Sequence, residues 1–242
     1  MATIHRTTMT PGKLELVTAW LPTRPWYVAT GHAPALARSG GFRLDDPEGE
    51  VGMEFMVLTD TSGGRETSYH VPLTYRGAPL EAPGDAGAGL VGTAEHGVLG
   101  TRWIYDGAHD PVLVSQLLAL LQGRAVAQHQ TASDTPDPSV TAWCGGPFPS
   151  ALPYEPLEVF HTARGTDVLV AGARAALAVT RVLRAHDEDP REDTAGRTGP
   201  STSASAGALG GLTAGWTTPE GAAHRGPFAT LRAAERPAPT TA

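Results

Sequence analysis

Residues 50–75 read EVGMEFMVLTDTSGGRETSYHVPLTY. The first ten alternate, placing Val51, Met53, Phe55 and Val57 on one face of a strand. Gly52, Glu54, Met56 and Leu58 fall on the other. The loop Asp60 to Glu66, with Gly63-Gly64, reads as a hairpin connection. Thr67 to Tyr75 is then the returning strand, and Pro72 within it argues for an edge or a bulge, because proline cannot donate to a ladder.

Working outward, VLGTRWIY at 98–105 reads as another strand. Residues 110–122 read as a helix: Asp110 caps it, Pro111 starts it, Leu113, Leu117, Leu120 and Leu121 form its apolar face, and Gly123 stops it. An opening helix is expected after an N-cap at Thr10 with Pro11 in the first position. Its apolar positions are Leu14, Val17 and Leu21, and Pro22 ends it. Residues 28–40 read as loop.

Beyond the Leu-rich helix, 124–156 reads as a long connection. Three strand candidates follow: LEVFHT (157–162), TDVLVAG (166–172) and ALAVTRVL (176–183). The last is Ala-rich, so residues 172–184 stay open between strand and helix, with Val179, Thr180 and Val182 favouring strand. The run 185–211 is charged, then small and polar, and reads as a disordered linker. Residues 212–232 read as a hairpin turning at Pro219-Glu220-Gly221, too apolar to be left in solvent and expected to dock on the main body. Residues 233–242 form a Pro/Ala/Thr tail. The domain division is thus 1–123, 124–184, 185–211, 212–232 and 233–242.

Composition agrees with a turn-rich body rather than a helical bundle: 29 Gly and 21 Pro exceed a fifth of 242 residues, and only 18% are charged. The net charge of −7 argues against a nucleic-acid partner. Cys144 is the only cysteine, so the chain builds no internal disulfide or thiolate cluster. No apolar run approaches 18 residues and the N-terminus has no apolar core, so a cytoplasmic protein without a membrane partner is expected.

Gly87 to Gly92 spells G-x-G-x-x-G, but no strand precedes it and no helix follows, so it reads as a flexible loop. The chain has no asparagine. Protein-kinase-like enzymes hold a metal through an Asn after the catalytic Asp; neither that Asn nor a D-F-G-like segment is present, and no P-loop is found. Tyr105-Asp106-Gly107-Ala108-His109-Asp110 is the one tight cluster of ligand-type residues. A zinc site there is outweighed by the plainer reading, in which Asp110 caps the helix while Asp106 and His109 tie a turn. Asp45, Asp46, Glu48 and Glu50 read as a solvated acidic turn rather than paired catalytic carboxylates. Trp20, Trp26, Tyr27, Trp103 and Tyr105 suit a sugar-stacking platform or, more simply, a core. The ligand or interaction candidates are therefore Trp26, Tyr27, Trp103, Tyr105, Asp106 and His109, with no catalytic residue, no cofactor and no metal ligand assigned.

Three stretches in order resemble the N-terminal cap domain of maltokinases: Trp20-Leu21-Pro22 with Trp26-Tyr27, then Tyr69-His70-Val71-Pro72-Leu73, then Trp103-Ile104-Tyr105-Asp106 with His109-Asp110-Pro111. The resemblance covers about residues 4–123. It implies an α+β fold, a curved antiparallel sheet packed on helices in a cystatin-like cap, here extended by extra C-terminal strands. In that family the cap leads into a kinase that makes maltose 1-phosphate from maltose and ATP, feeding glycogen-like glucan synthesis. The phosphotransfer residues are missing here, so no catalytic residue carries over. The expectation is a cap-like accessory or interaction module of maltose, trehalose or glycogen metabolism, with a sugar kinase or α-glucan enzyme as partner. The alternatives are a carbohydrate-active enzyme, or a small-ligand binder using the cone of the sheet.

Overall fold

The computed structural model describes residues 8–80, 89–132, 134–145, 157–163, 165–170, 175–185 and 207–233. The elements in chain order are β1 (Met9–Thr10), α1 (Lys13–Trp20), β2 (Leu36–Leu44), β3 (Gly52–Asp60), β4 (Thr67–Arg76), β5 (Leu90–His96), β6 (Gly100–Asp106), α2 (Pro111–Leu121), β7 (Gln128–His129), β8 (Thr141–Cys144), β9 (Glu158–Thr162), β10 (Gly165–Val170), β11 (Ala175–Thr180), β12 (Ala208–Thr217) and β13 (Ala223–Ala233). They build two sheets, one in the order β1-β5-β6-β4-β3-β2-β7 and the other β8-β12-β13-β11-β10-β9. Every named pairing is antiparallel.

The alternation in β3 sorts its side chains into two cores. Met53, Phe55 and Val57 face a large core shared with the second sheet and α2, while Met56 and Leu58 face a smaller one shared with α1. The large core joins Phe42 and Phe55, stacked 4.4 Å apart, to Leu177, Trp216 and Phe228. α2 adds Leu113, Leu117 and Leu121, spaced to share one helix face. Its start is built as the residues suggest: Asp110 accepts from the Val112 N–H at 3.0 Å and Pro111 takes the first turn.

Several expectations are corrected. Residues 36–40, read as the end of the 28–40 loop, belong to β2. A bulge lies there, where the register with β3 shifts between Arg38 and Gly40. Gly41 has φ +132°, and any Cβ there would collide with the Phe55 carbonyl oxygen. The extra residue, Ser39, keeps its hydroxyl inside, 2.6 Å from Thr59 Oγ1, which lies 2.8 Å from Ser68 Oγ. At the N-terminus Thr10 lies in β1, Gly12 holds the cap position of α1 without a side-chain bond, and Pro22 sits within a 3-10 turn over Leu21–Thr23. Residues 90–92 are not loop but the start of β5; residues 81–88 lie outside the described set.

Pro72 is central rather than at an edge, between β3 and β6. On the far side from β3, His70 N–H donates to Arg181 O and Ser68 O accepts from Leu183 N–H, while β6 pairs only from Leu73 onward. Position 72 falls where 181–183 have left off and β6 has not begun, so no ladder bond is lost.

The second sheet is separate from the first but stitched to it there. After β11, residues 181–183 leave the second sheet and run along β4, with Tyr69 opposite Val182. At the other side Gly40 packs on the Trp216 backbone. The body is mostly antiparallel sheet with few helices, and it includes a strongly curled, half-barrel sheet. Residues 208–211, read as the end of the linker, belong to β12; residues 186–206 and 234–242 lie outside the described set. The hairpin β12–β13 sits between β8 and β11, in the middle of the second sheet.

Candidate functional site

The polar centre of the molecule lies at the seam between the sheets. β6 ends at Asp106, and the backbone then tightens into a 3-10 turn over Gly107–His109. Asp106 accepts from Ala108 N–H at 3.2 Å, as an Asp before such a turn should. Its carboxylate also receives Arg181 Nη2, at 2.8 Å to Oδ1 and 2.7 Å to Oδ2. Both side chains are fully buried. Arg181 Nε donates to Thr166 Oγ1 at 2.8 Å, and its guanidinium lies 5.0 Å from the Trp26 ring centre.

Thr166 passes the network on. Its Oγ1 is 2.9 Å from His161 Nδ1, and His161 Nε2 is 3.0 Å from His109 Nε2. Both histidines are partly exposed, so the chain of contacts runs from a dry interior to the surface. Gly89 makes room for it: with φ +75°, a Cβ there would fall 2.6 Å from the His109 ring.

Burial alone would raise the Asp106 carboxyl; the Arg181 charge and hydrogen bond outweigh it and hold the group below its usual range. Burial, with Arg181 and His109 adding to it, pushes His161 down to about 4 against the pull of Asp106. His70, fully buried between Phe55 and Phe228, is pushed down to about 3 by burial and then by Arg181. Its Nδ1 donates to the Thr180 carbonyl at 3.0 Å, while Nε2 has no partner among the described residues.

A second buried acid sits elsewhere in the first sheet. Glu54 accepts from Lys13 Nζ (2.6 Å), Tyr75 Oη (2.8 Å), Arg38 Nη2 (2.8 Å) and Gln130 Nε2 (2.8 Å). Burial would raise its pKa, but Lys13 and then Arg38 bring it below the usual value. Lys13 is the only lysine in the chain. With four donors, this carboxylate is a tie between α1, β2, β3, β4 and the segment after β7, not a poised base. Asp46 is likewise occupied, accepting from the N–H groups of Glu48, Glu50 and Val51. Asp46, buried, therefore shapes the β2–β3 turn, while Glu48 and Glu50 are exposed.

The six candidate residues divide. Trp26, Asp106 and His109 meet through Arg181 and His161. Tyr105 precedes Asp106 and points to the opposite face, where its hydroxyl accepts from Leu80 N–H at 2.9 Å. Tyr27 stacks on Tyr69 at 5.8 Å and donates to Asp60 Oδ2 at 3.1 Å. Trp103 is half-buried on β6. Trp26 is buried, 5.8 Å edge-on from Trp20, so these rings form no open stacking platform. Arg181, Thr166 and His161 were not foreseen. The one local signal was a lone charge inside the apolar run ALAVTRVL, which needs a buried partner.

A cleft of about 1040 Å³ opens beside the seam. It is lined by Arg65, Glu66, Arg184, Trp216, Thr218 and His224 among others, and the Asp106–His109–His161 cluster lies outside it. No helix among the described residues is long and apolar enough to cross a membrane.

Residues 20–110 match the family model of the maltokinase N-terminal cap domain. No curated protein matches the chain. The match runs from the last residue of α1 through β2–β6 to the Asp110 cap, so the similarity to the maltokinase cap domain falls on the first sheet and the helix ends beside it. The second sheet lies outside the matched residues.

Proposed function

We propose that these 242 residues act as a non-catalytic, cap-like interaction module of maltose, trehalose or glycogen metabolism, working beside a kinase-type partner. The match of residues 20–110 to the maltokinase cap carries this reading. The residue inventory supports it: with no asparagine, the metal-holding pattern of a protein-kinase-like lobe is not available. The buried acids support it as well: Glu54 is committed to cations and side-chain donors, and Asp106 and Asp110 to cations and backbone donors. Exposed apolar residues at the β5–β6 turn, Val98 (63% exposed) and Leu99 (44%), supply surface for a partner. The finer comparison with a cystatin-like cap belongs to this reading too.

The test is ADP release by the pure protein with Mg-ATP and maltose, glucose or glucosamine. The expected result is no sugar-dependent ADP. Sugar-dependent release that disappears on a point substitution in this chain would overturn the proposal.

A further inference from the structure

We infer that His109 and His161, with Asp106, form a binding site for one divalent transition-metal ion of the zinc class at the seam between the two sheets. The observation is a convergence that the sequence does not announce. His161 comes from β9 of the second sheet, whereas Asp106 precedes and His109 closes the 3-10 turn that follows β6 of the first. Yet one ligand atom of each lies within 4.8 Å of those of the other two.

The geometry suits such an ion. Two imidazole nitrogens bound to one tetrahedral zinc at 2.0–2.1 Å stand about 3.3 Å apart. His109 Nε2 and His161 Nε2 stand at 3.0 Å, so a small opening admits the ion. Without metal, two neutral imidazoles at this distance must share one proton, one nitrogen donating and the other accepting. Ligation asks that this proton move to the Nδ1 of its own ring, so that both Nε2 atoms present lone pairs. For His161 the acceptor is in place: Thr166 Oγ1 lies 2.9 Å from Nδ1 and has two acceptor positions, one of them used by Arg181 Nε–H. A metal-bound histidine held through its other nitrogen is the usual supporting arrangement.

The charges around the site set its strength. Asp106 supplies the negative ligand, but Arg181 shares both its oxygens, and Arg24 adds a weaker positive field at His161. The ion therefore enters a neutral acid–guanidinium pair rather than a bare carboxylate. The binding is therefore weaker than that of a closed structural zinc site. Imidazole ligands favour zinc, cobalt, nickel and copper over magnesium or calcium. Two histidines and one carboxylate leave a fourth position for water or a ligand from a partner.

The experiment is a Co²⁺ titration of the full chain at pH 7.5, followed by visible absorption and then by displacement with Zn²⁺. The expected result is a tetrahedral-type band saturating at one ion per chain and lost on adding Zn²⁺. His161→Gln and His109→Gln should each weaken it at least about tenfold. His32→Gln, remote from the cluster, should leave it unchanged. Far-UV circular dichroism checks that the variants fold. If either does not, diethyl pyrocarbonate footprinting of the unmodified chain decides: Zn²⁺ should protect His109 and His161 and leave His32 reactive. No cobalt band, a band undiminished in both His161→Gln and His109→Gln, or histidine reactivity unchanged by Zn²⁺ would each overturn the site.

Discussion

Replacing Arg181 by Met would leave the Asp106 carboxylate buried without its cation, and Thr166 without its donor. Breaking such a pair costs about 3–5 kcal/mol, more than the pair itself contributes, because the surviving charge stays desolvated. Urea unfolding at pH 7 should register a loss of that size for Arg181→Met, and a smaller one when Asp106→Leu is added. A loss under about 1 kcal/mol for the single variant would mean that the seam is held by something else.

His70 and His161 predict a particular acid sensitivity. The His70 pKa is about 3 in the folded chain against 6.5 in the unfolded one, so protonation favours unfolding. The stability from its neutral form is fully present above about pH 6.5 and drains as pH falls toward 3, by up to ~1.4 kcal/mol per pH unit. His161, at about 4, acts in the same direction but more weakly, being partly exposed. Glu54 and Asp106 are held below the usual carboxylate range and protonate later. Loss of stability between pH 6.5 and 4.5 therefore belongs to the histidines, and His70→Gln should flatten it. An unchanged slope in that variant would assign the loss elsewhere.

Among the elements, the C-terminal hairpin matters out of proportion to its place in the chain. β13 pairs along β11 while β12 pairs with β8, so removing the hairpin would split the second sheet. Phe228 is fully buried, with ring centres 4.6 Å from His70 and 6.2 Å from both Phe42 and Trp216. Phe228→Ala should cost about 3–5 kcal/mol. Val98→Ala, on an exposed turn, should stay within about 0.5 kcal/mol. Equal denaturation midpoints for the two would contradict the packing described.

What the sequence reveals of these elements follows from how local the cause is. The β3–β4 hairpin is legible because period-two alternation and a Gly-Gly turn are local facts. So is α2, through Asp110, Pro111 and the leucine spacing. The start of β2 is hidden in the 28–40 loop reading, because its bulge against β3 and the close approach at Gly41 are set by a partner strand. The start of β5 is hidden because Gly87 to Gly92 reads as a loop, although Gly89, just ahead of the strand, is small to admit the His109 ring. Pro72 misleads because its lost donor matters only if a neighbour lies on that side, and the neighbours there part at that point. The candidate site is half legible. Asp106 and His109 stand close in sequence, whereas Arg181, Thr166 and His161 reach them only through the crossing from β11 onto β4.

At the scale of the whole molecule, the cap-like first sheet does not stand on one core. One face is covered by α1 and the other by the second sheet and α2, with the two sheets clipped by Arg181 and by the strand pairing at Tyr69. Among the described residues, the sheet edges, the β5–β6 turn and the cleft beside the seam offer surface to a partner. The proposal that this body works beside a kinase-type module is tested most directly by binding. The full chain would be titrated against the kinase lobe of a maltokinase stripped of its own cap, followed by calorimetry and by sedimentation velocity. The account predicts a saturable one-to-one complex, weakened when Val98 and Leu99 are both replaced by Asp. Absence of any complex at about 100 μM, where even a weak specific interface registers, would contradict it.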